Sequence, residues 1–185
     1  MRFFLENENL GLRPLSEDDV LGGYRDWFND AEICKYNDHH RFPMTEKELL
    51  EYIESIKFDR SKIVLAVCDK EKNVHIANIS LQEIDLVNRQ AEIAFVFGNK
   101  DYWEKGYATE AARLLIKHAF LELGLNRIYF GTSRYNTGMQ KVGEKLSFKQ
   151  TGVLREALYK HGEFVDIYQY DLLRSEWVDD VKQRA

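Results

Sequence analysis

Proline occurs twice in this chain and cysteine twice, and each scarcity excludes something. With so little proline and no low-complexity stretch, no segment reads as a linker. Residues 1–185 are therefore expected to form one domain, a length at which a single core suffices. Cys34 and Cys68 stand far apart without metal-ligand spacing, so no metal site is expected; two reduced thiols in a cytoplasmic protein are. A cationic excess is missing too: 26 Lys and Arg face 31 Asp and Glu, a net charge of -5. That argues against nucleic acid as the partner, although a local basic patch for an anion stays open. No apolar run approaches the roughly 20 residues that span a bilayer, so no membrane partner is expected. The start, Met1 to Glu8, turns acidic too early for a secretory signal. What is present, 44% apolar and 31% charged residues, is the composition of a folded globular domain.

Along the chain, Asn9 to Leu15 reads as a first strand. Ser16 with Asp19 is a helix-start signal for an amphipathic stretch running to Phe28, and a second short helix is expected from Asp30 to Tyr36. Residues 37–43 are polar and irregular, a loop. Thr45 with Glu48 forms another capping box, ahead of a helix whose apolar face holds Leu49, Leu50, Ile53 and Ile56. Ile63 to Cys68, Val74 to Ile84 and Gln90 to Phe97 read as an antiparallel meander. Gly106 to Leu123 has the clearest helical period, with Ala108, Ala111, Ala112, Leu115, Ile116, Ala119 and Phe120 on one side and Gly124 as the stop. A strand from Arg127 to Ser133, a helix from Thr137 to Leu146 and two strands between Phe148 and Leu173 complete the order. The fold class is α/β of the α+β kind, a mixed sheet of about seven strands flanked by helices.

The segment from Val96 to Ala111 carries the chemistry. A strand ends near Gly98, a polar turn follows, and a long helix begins near Gly106 with small residues in its first turn. Unpaired amides at such a start, with the helix dipole behind them, favour an anion such as a pyrophosphate, and Lys100 and Lys105 add positive charge. The string Glu92-Ile93-Ala94-Phe95-Val96, followed by Tyr102-Trp103-Glu104-Lys105-Gly106-Tyr107-Ala108-Thr109-Glu110-Ala111, resembles the acetyl-CoA signature of the GCN5-related N-acetyltransferase (GNAT) superfamily. It is most similar to the branch with ribosomal-protein N-terminal, spermidine and amino-sugar acetyltransferases. Leu12-Arg13-Pro14-Leu15, Asn136, Glu144 to Phe148, Gly152 and Arg155 fall in the order that family shows, so the resemblance covers nearly the whole chain.

That resemblance implies a mostly antiparallel sheet with a splayed strand pair at the cofactor site. It implies that Lys105, Gly106, Tyr107, Ala108 and Thr109 bind the pyrophosphate through backbone amides. Main-chain groups of Phe95 and Val96 would hold the pantetheine arm, and Asn136 matches an asparagine that contacts the same arm. It also implies departures. Trp103 replaces the usual Gln or Arg, Ser147 stands where Gly is commoner, and Gly143 occupies the place of a tyrosine that protonates the departing thiolate. Met139 stands where some members carry a serine near the sulfur.

Acetyl transfer needs a neutral amine. A lysine-like amine of pKa about 10.4 is neutral in roughly one molecule in 2,500 at pH 7, whereas an α-amine near 8 is depleted only about tenfold. Glu92 matches a family position that deprotonates the amine, directly or through water; a surface cross-strand ion pair is its other reading. His39 and His40 lie in the loop where this family builds acceptor pockets, Arg41 and Phe42 could hold an anionic acceptor, and Asn78 with Ser80 are weaker polar candidates. Tyr135 ends a strand beside the cofactor helix, while His75, His118 and His161 receive no role. The acceptor is a small-molecule or peptide amine, with a nucleotide-linked amino sugar preferred over a protein N-terminus or a polyamine. A non-catalytic acetyl-CoA-binding module is the reading from another class. A homodimer is left open.

Overall fold

The computed structural model describes residues 2–177. Its strands are β1 (Leu5–Glu6), β2 (Leu10–Pro14), β3 (Ile63–Asp69), β4 (Val74–Asp85), β5 (Gln90–Val96), β6 (Arg127–Ser133), β7 (Lys149–Lys160) and β8 (Glu163–Leu173). They form one sheet in the order β1-β2-β3-β4-β5-β6-β8-β7. The expected count of about seven rises to eight because β1, only two residues long, pairs with Leu12 and Gly11; a strand so short leaves no alternation to read.

Every neighbouring pair is antiparallel except β5 and β6, which run parallel and pair only at Gln90↔Arg127, Ala91↔Ile128 and Glu92↔Tyr129. Beyond Glu92 the two strands separate. β5 continues to Val96 beside β4, and β6 continues to Ser133 beside β8. The expected splayed pair is thus a wedge that opens at Glu92.

The helices are α1 (Glu17–Leu21), α2 (Tyr24–Trp27), α3 (Glu46–Ile56), α4 (Tyr107–Leu121) and α5 (Thr137–Lys145). Both capping boxes form, at Ser16 with Asp19 and at Thr45 with Glu48. The stretch from Ser16 to Phe28 is broken at Gly22-Gly23, where the cost of ordering glycine interrupts the helix. From Asp30 to Tyr36 the chain turns instead of forming the expected helix. The Asp30 carboxylate accepts the amides of Glu32 and Ile33, and the Cys34 thiol donates to the Trp27 carbonyl, so the segment folds back on α2.

Period-2 alternation gives the sheet two faces. One buries Ile79, Leu81, Ile93 and Ile128 under Leu115, Ile116 and Phe120 of α4. The other packs Ala66 and Cys68 against Val20, Tyr24, Leu49 and Ile53 of α1 to α3. Each large apolar side chain so buried is worth about 1.5–3 kcal/mol. Residues 92, 94 and 96 of β5 alternate with Ile93, so they look toward α1 to α3, the open side of the wedge.

Candidate active site

Gly106 precedes α4 with φ 89° and ψ -9°, left-handed backbone that glycine adopts without strain. A Cβ placed there would meet nothing within 4 Å, so the space in front of the helix is open. The Glu110 amide donates to the Gly106 carbonyl, which leaves the amides of Tyr107, Ala108 and Thr109 without acceptors inside the helix. The loop leading there is braced by the Trp103 indole, which donates to the Phe97 carbonyl at 3.0 Å. The two lysines divide. Lys105 lies 5.9 Å from the Tyr102 ring centre beside the helix start, whereas Lys100 is held by Asp30 at 2.8 Å and Glu32 at 2.6 Å. Lys100 therefore ties the loop to the Asp30 turn instead of facing the helix start.

Glu92 sits half-buried at the fork, its carboxylate near the Gly131 amide just past the last β5–β6 pair. Burial pushes its pKa above the usual carboxylate value and nearby Glu83 adds to the rise, against the pull of that amide. On the β6 side the main chain of Phe95 and Val96 has no strand partner among the described residues, as an edge offered to an extended ligand would. Asn136 caps α5, accepting the Met139 amide and donating to the Thr132 hydroxyl at 3.0 Å. Gly143 is buried so near β6 that a Cβ would lie 2.8 Å from the Phe130 ring, which explains why no tyrosine stands there.

The expected acceptor residues do not converge. His39 packs edge-on against Phe28 at 4.7 Å, and partial burial lowers its pKa. His40 is exposed with φ 60°, and Phe42 is 84% exposed. Arg41 donates to Asp38 at 2.5 Å and to the Tyr159 carbonyl at 3.0 Å, so it fastens the loop to the β7–β8 hairpin. Lys160 does the same from the hairpin, reaching the carbonyls of Asn37 and His39 at 2.9 Å each.

Asn78 belongs to a buried polar network. Its side-chain oxygen lies 2.8 Å from His75 Nε2, whose ring packs against Tyr24 and Trp27. His75 Nδ1 is 3.1 Å from Asp19 Oδ1, and Arg13 grips both oxygens of Asp19 at 2.7 and 2.6 Å. The sequence reading missed this network: Asp19 showed there only as a capping residue, and His75 received no role.

A cavity of about 440 Å³ opens where β6 ends. Leu158 and Val165 line its apolar part, and Tyr36, Ser133 and Tyr135 its sides. Lys35, Lys160, His161 and Glu163 supply the charge. Of these, the sequence points to Tyr135 alone as a site residue.

A family model described as "Acetyltransferase (GNAT) domain" matches residues 9–149. The uncharacterized N-acetyltransferase p20 of Bacillus licheniformis is 31% identical over 177 residues, covering 94% of this chain and 97% of its own. "Putative ribosomal N-acetyltransferase YdaF" of Bacillus subtilis is 40% identical over 99 residues, 54% of each chain. The spermidine N(1)-acetyltransferase of Escherichia coli is 25% identical over 171 residues, 92% of this chain and 89% of its own. Among solved structures, an acetyltransferase (GNAT family) from Bacillus anthracis superimposes with TM-score 0.81 at 25% identity, covering 94% of this chain and all of its own. The spermidine N-acetyltransferase of Vibrio cholerae, solved with CoA and spermine, superimposes with TM-score 0.84 at 23% identity over 94% of this chain and 100% of its own.

Proposed function

Because this chain belongs to the acetyltransferase (GNAT) family, it is an acyltransferase that uses acetyl-CoA, and we propose that it acetylates the α-amine of a peptide or protein by direct attack. The observation that carries the reading is the fork: a half-buried carboxylate stands where two parallel strands part, one strand-width from an unpaired backbone edge. In this reading the amides of Gly106, Tyr107, Ala108 and Thr109, with Lys105 beside them, hold the pyrophosphate. The free edge at Phe95 and Val96 holds the extended arm, which brings the thioester carbonyl to the wedge. Asn136 acts by shaping the turn into α5, since its side-chain oxygen and one amide hydrogen are already engaged.

Glu92 takes the proton as the amine nitrogen bonds to the carbonyl carbon; the C–S bond breaks and the thiolate leaves with the electron pair. A thiol of pKa about 8.5 needs no dedicated acid to leave near neutral pH, which suits a glycine at position 143. A single carboxylate base also suits an α-amine, which starts about 2.4 pKa units below a lysine-like amine. The ribosomal relative supports the same acceptor class. The preference for a nucleotide-linked amino sugar loses its footing: none of the relatives described above is named for one, and of the residues it leaned on, Arg41 is tied to the hairpin and His39 packs on Phe28. A polyamine is the second reading, favoured by the spermidine relatives.

The test is thiol release from acetyl-CoA across peptides with free N-termini, polyamines and nucleotide-linked amino sugars. Peptides are expected to turn over fastest. Turnover confined to amino sugars or to spermidine would refute the acceptor assignment.

A further inference from the structure

The cavity at the end of β6 continues the wedge. Glu92 stands at the last β5–β6 pair with its carboxylate near Gly131, and Ser133, on the cavity side, lies two residues beyond Gly131 on the same face of β6, about 7 Å farther at strand rise. A molecule whose amine reaches Glu92 would place its next one or two residues in that cavity.

The charges there are unevenly matched. Lys35 and Lys160 face the space and Glu163 is the one carboxylate lining it among the described residues, with His161 beside them. Other carboxylates close by are occupied: Asp38 by Arg41, and Asp166 by Arg134 at 3.7 Å and by the Glu156 amide. Lys160 is fixed by two carbonyls, and an ammonium has three donors, so one N–H is left to give. The aromatic faces that would otherwise draw a cationic amine already carry cations, Lys35 over Tyr36 at 5.2 Å and Arg134 over Tyr135 at 5.4 Å.

We infer that this cavity selects acceptors bearing an anionic group one or two residues from the reacting amine, with Lys35 and Lys160 as the residues that recognise it. The inference rests on the acetyl-transfer reading given above and deepens it. A polyamine would bring a second ammonium against two lysines, which like-charge repulsion disfavours.

Two peptides differing only in Glu or Lys at the second residue, together with spermidine, test this through kcat/KM for thiol release. The Glu peptide is expected to lead the Lys peptide by about tenfold at low salt and by less at high salt. Lys35→Glu should bring the two to parity or reverse them without changing acetyl-CoA affinity, and Glu163→Gln should widen the preference. Lys35 is exposed, so its replacement leaves the fold intact. Equal kcat/KM for both peptides, or a preference untouched in Lys35→Glu, overturns the inference and leaves acetyl transfer standing. Faster turnover of spermidine than of either peptide overturns it as well. Absence of thiol release with all three, while acetyl-CoA still binds, overturns the peptide acceptor proposed above.

Discussion

Glu92 is both a side chain packed near the Gly131 amide and the carboxylate that β5 carries at the fork, and the two roles separate experimentally. Glu92→Gln keeps the size and polarity of the side chain and loses the base. Turnover is expected to fall about a hundredfold while acetyl-CoA affinity stays within twofold; an equal loss in both would make the residue structural. Since burial and then Glu83 raise the Glu92 pKa, the acid limb of the kcat/KM profile should lie above the ordinary glutamate value of 4.5. Glu83→Gln removes a negative neighbour but can still accept the Tyr129 hydroxyl, so the limb should move toward lower pH. A limb that stays in place would exclude Glu92 as its source. Ser147 offers a stability test at the same scale. The Phe148 amide donates to the Gly143 carbonyl and the Ser147 amide to the Glu144 carbonyl, a Schellman ending with Ser147 at φ 64°. Glycine adopts that angle without the Cβ penalty, so Ser147→Gly should raise unfolding free energy by about 1 kcal/mol in urea titration.

At the scale of elements, the start of α4 was legible because everything needed lies within one short string: a glycine, small residues after it and an apolar period behind them. The structure adds that Gly106 is left-handed with open space in front, which separates two substitutions. Gly106→Ala should cost about 1 kcal/mol of stability through its φ, the added methyl meeting no protein atom. Gly106→Glu should abolish acetyl-CoA binding by calorimetry in a protein that circular dichroism shows folded; retained affinity would move the phosphate site elsewhere. The fork itself was not legible from residues alone. It is a matter of register between β5 and β6, which pair at three positions and then part, and no local pattern in either strand encodes where pairing stops. Only the family resemblance anticipated a splay. The stretch Asp30 to Tyr36 misled for the opposite reason: its apolar spacing fits a helix, but the Asp30 carboxylate and the Cys34 thiol give the backbone local partners that close turns. Likewise the loop at 37–43 promised an acceptor site through its histidines and Arg41, whereas its polar groups tie it to the β7–β8 hairpin 118 or more residues away in sequence.

The whole molecule depends on a charge pair that joins its first strand region to its helices. Arg13 on β2 holds Asp19 on α1 through both carboxylate oxygens, the side chains being 13% and 4% exposed, and His75 on β4 approaches from the other side. Burial alone would raise the Asp19 pKa, but bonds from Arg13, His75 and the Ser16 amide outweigh it and hold the carboxyl well below its ordinary value of 3.8. Such a depressed pKa means that the folded state binds the proton less readily than the unfolded chain. The pair's contribution is therefore fully present above about pH 4 and is lost as pH falls below that toward the folded pKa. Asp19→Asn leaves Arg13 buried without its counter-charge, which should cost about 3–5 kcal/mol at pH 7. Other carboxylates titrate in the same acid range, so the absolute fall in stability of the native chain does not isolate this pair. The difference between native and Asp19→Asn proteins does, because only Asp19 is absent from one of them. Urea unfolding of both at pH 7, 5, 4 and 3 should give a constant gap down to about pH 4 and a narrowing one below it. A gap unchanged at pH 3 would show that the network is held by shape and hydrogen bonding, with the charge of Asp19 contributing nothing to the joint between strand and helix.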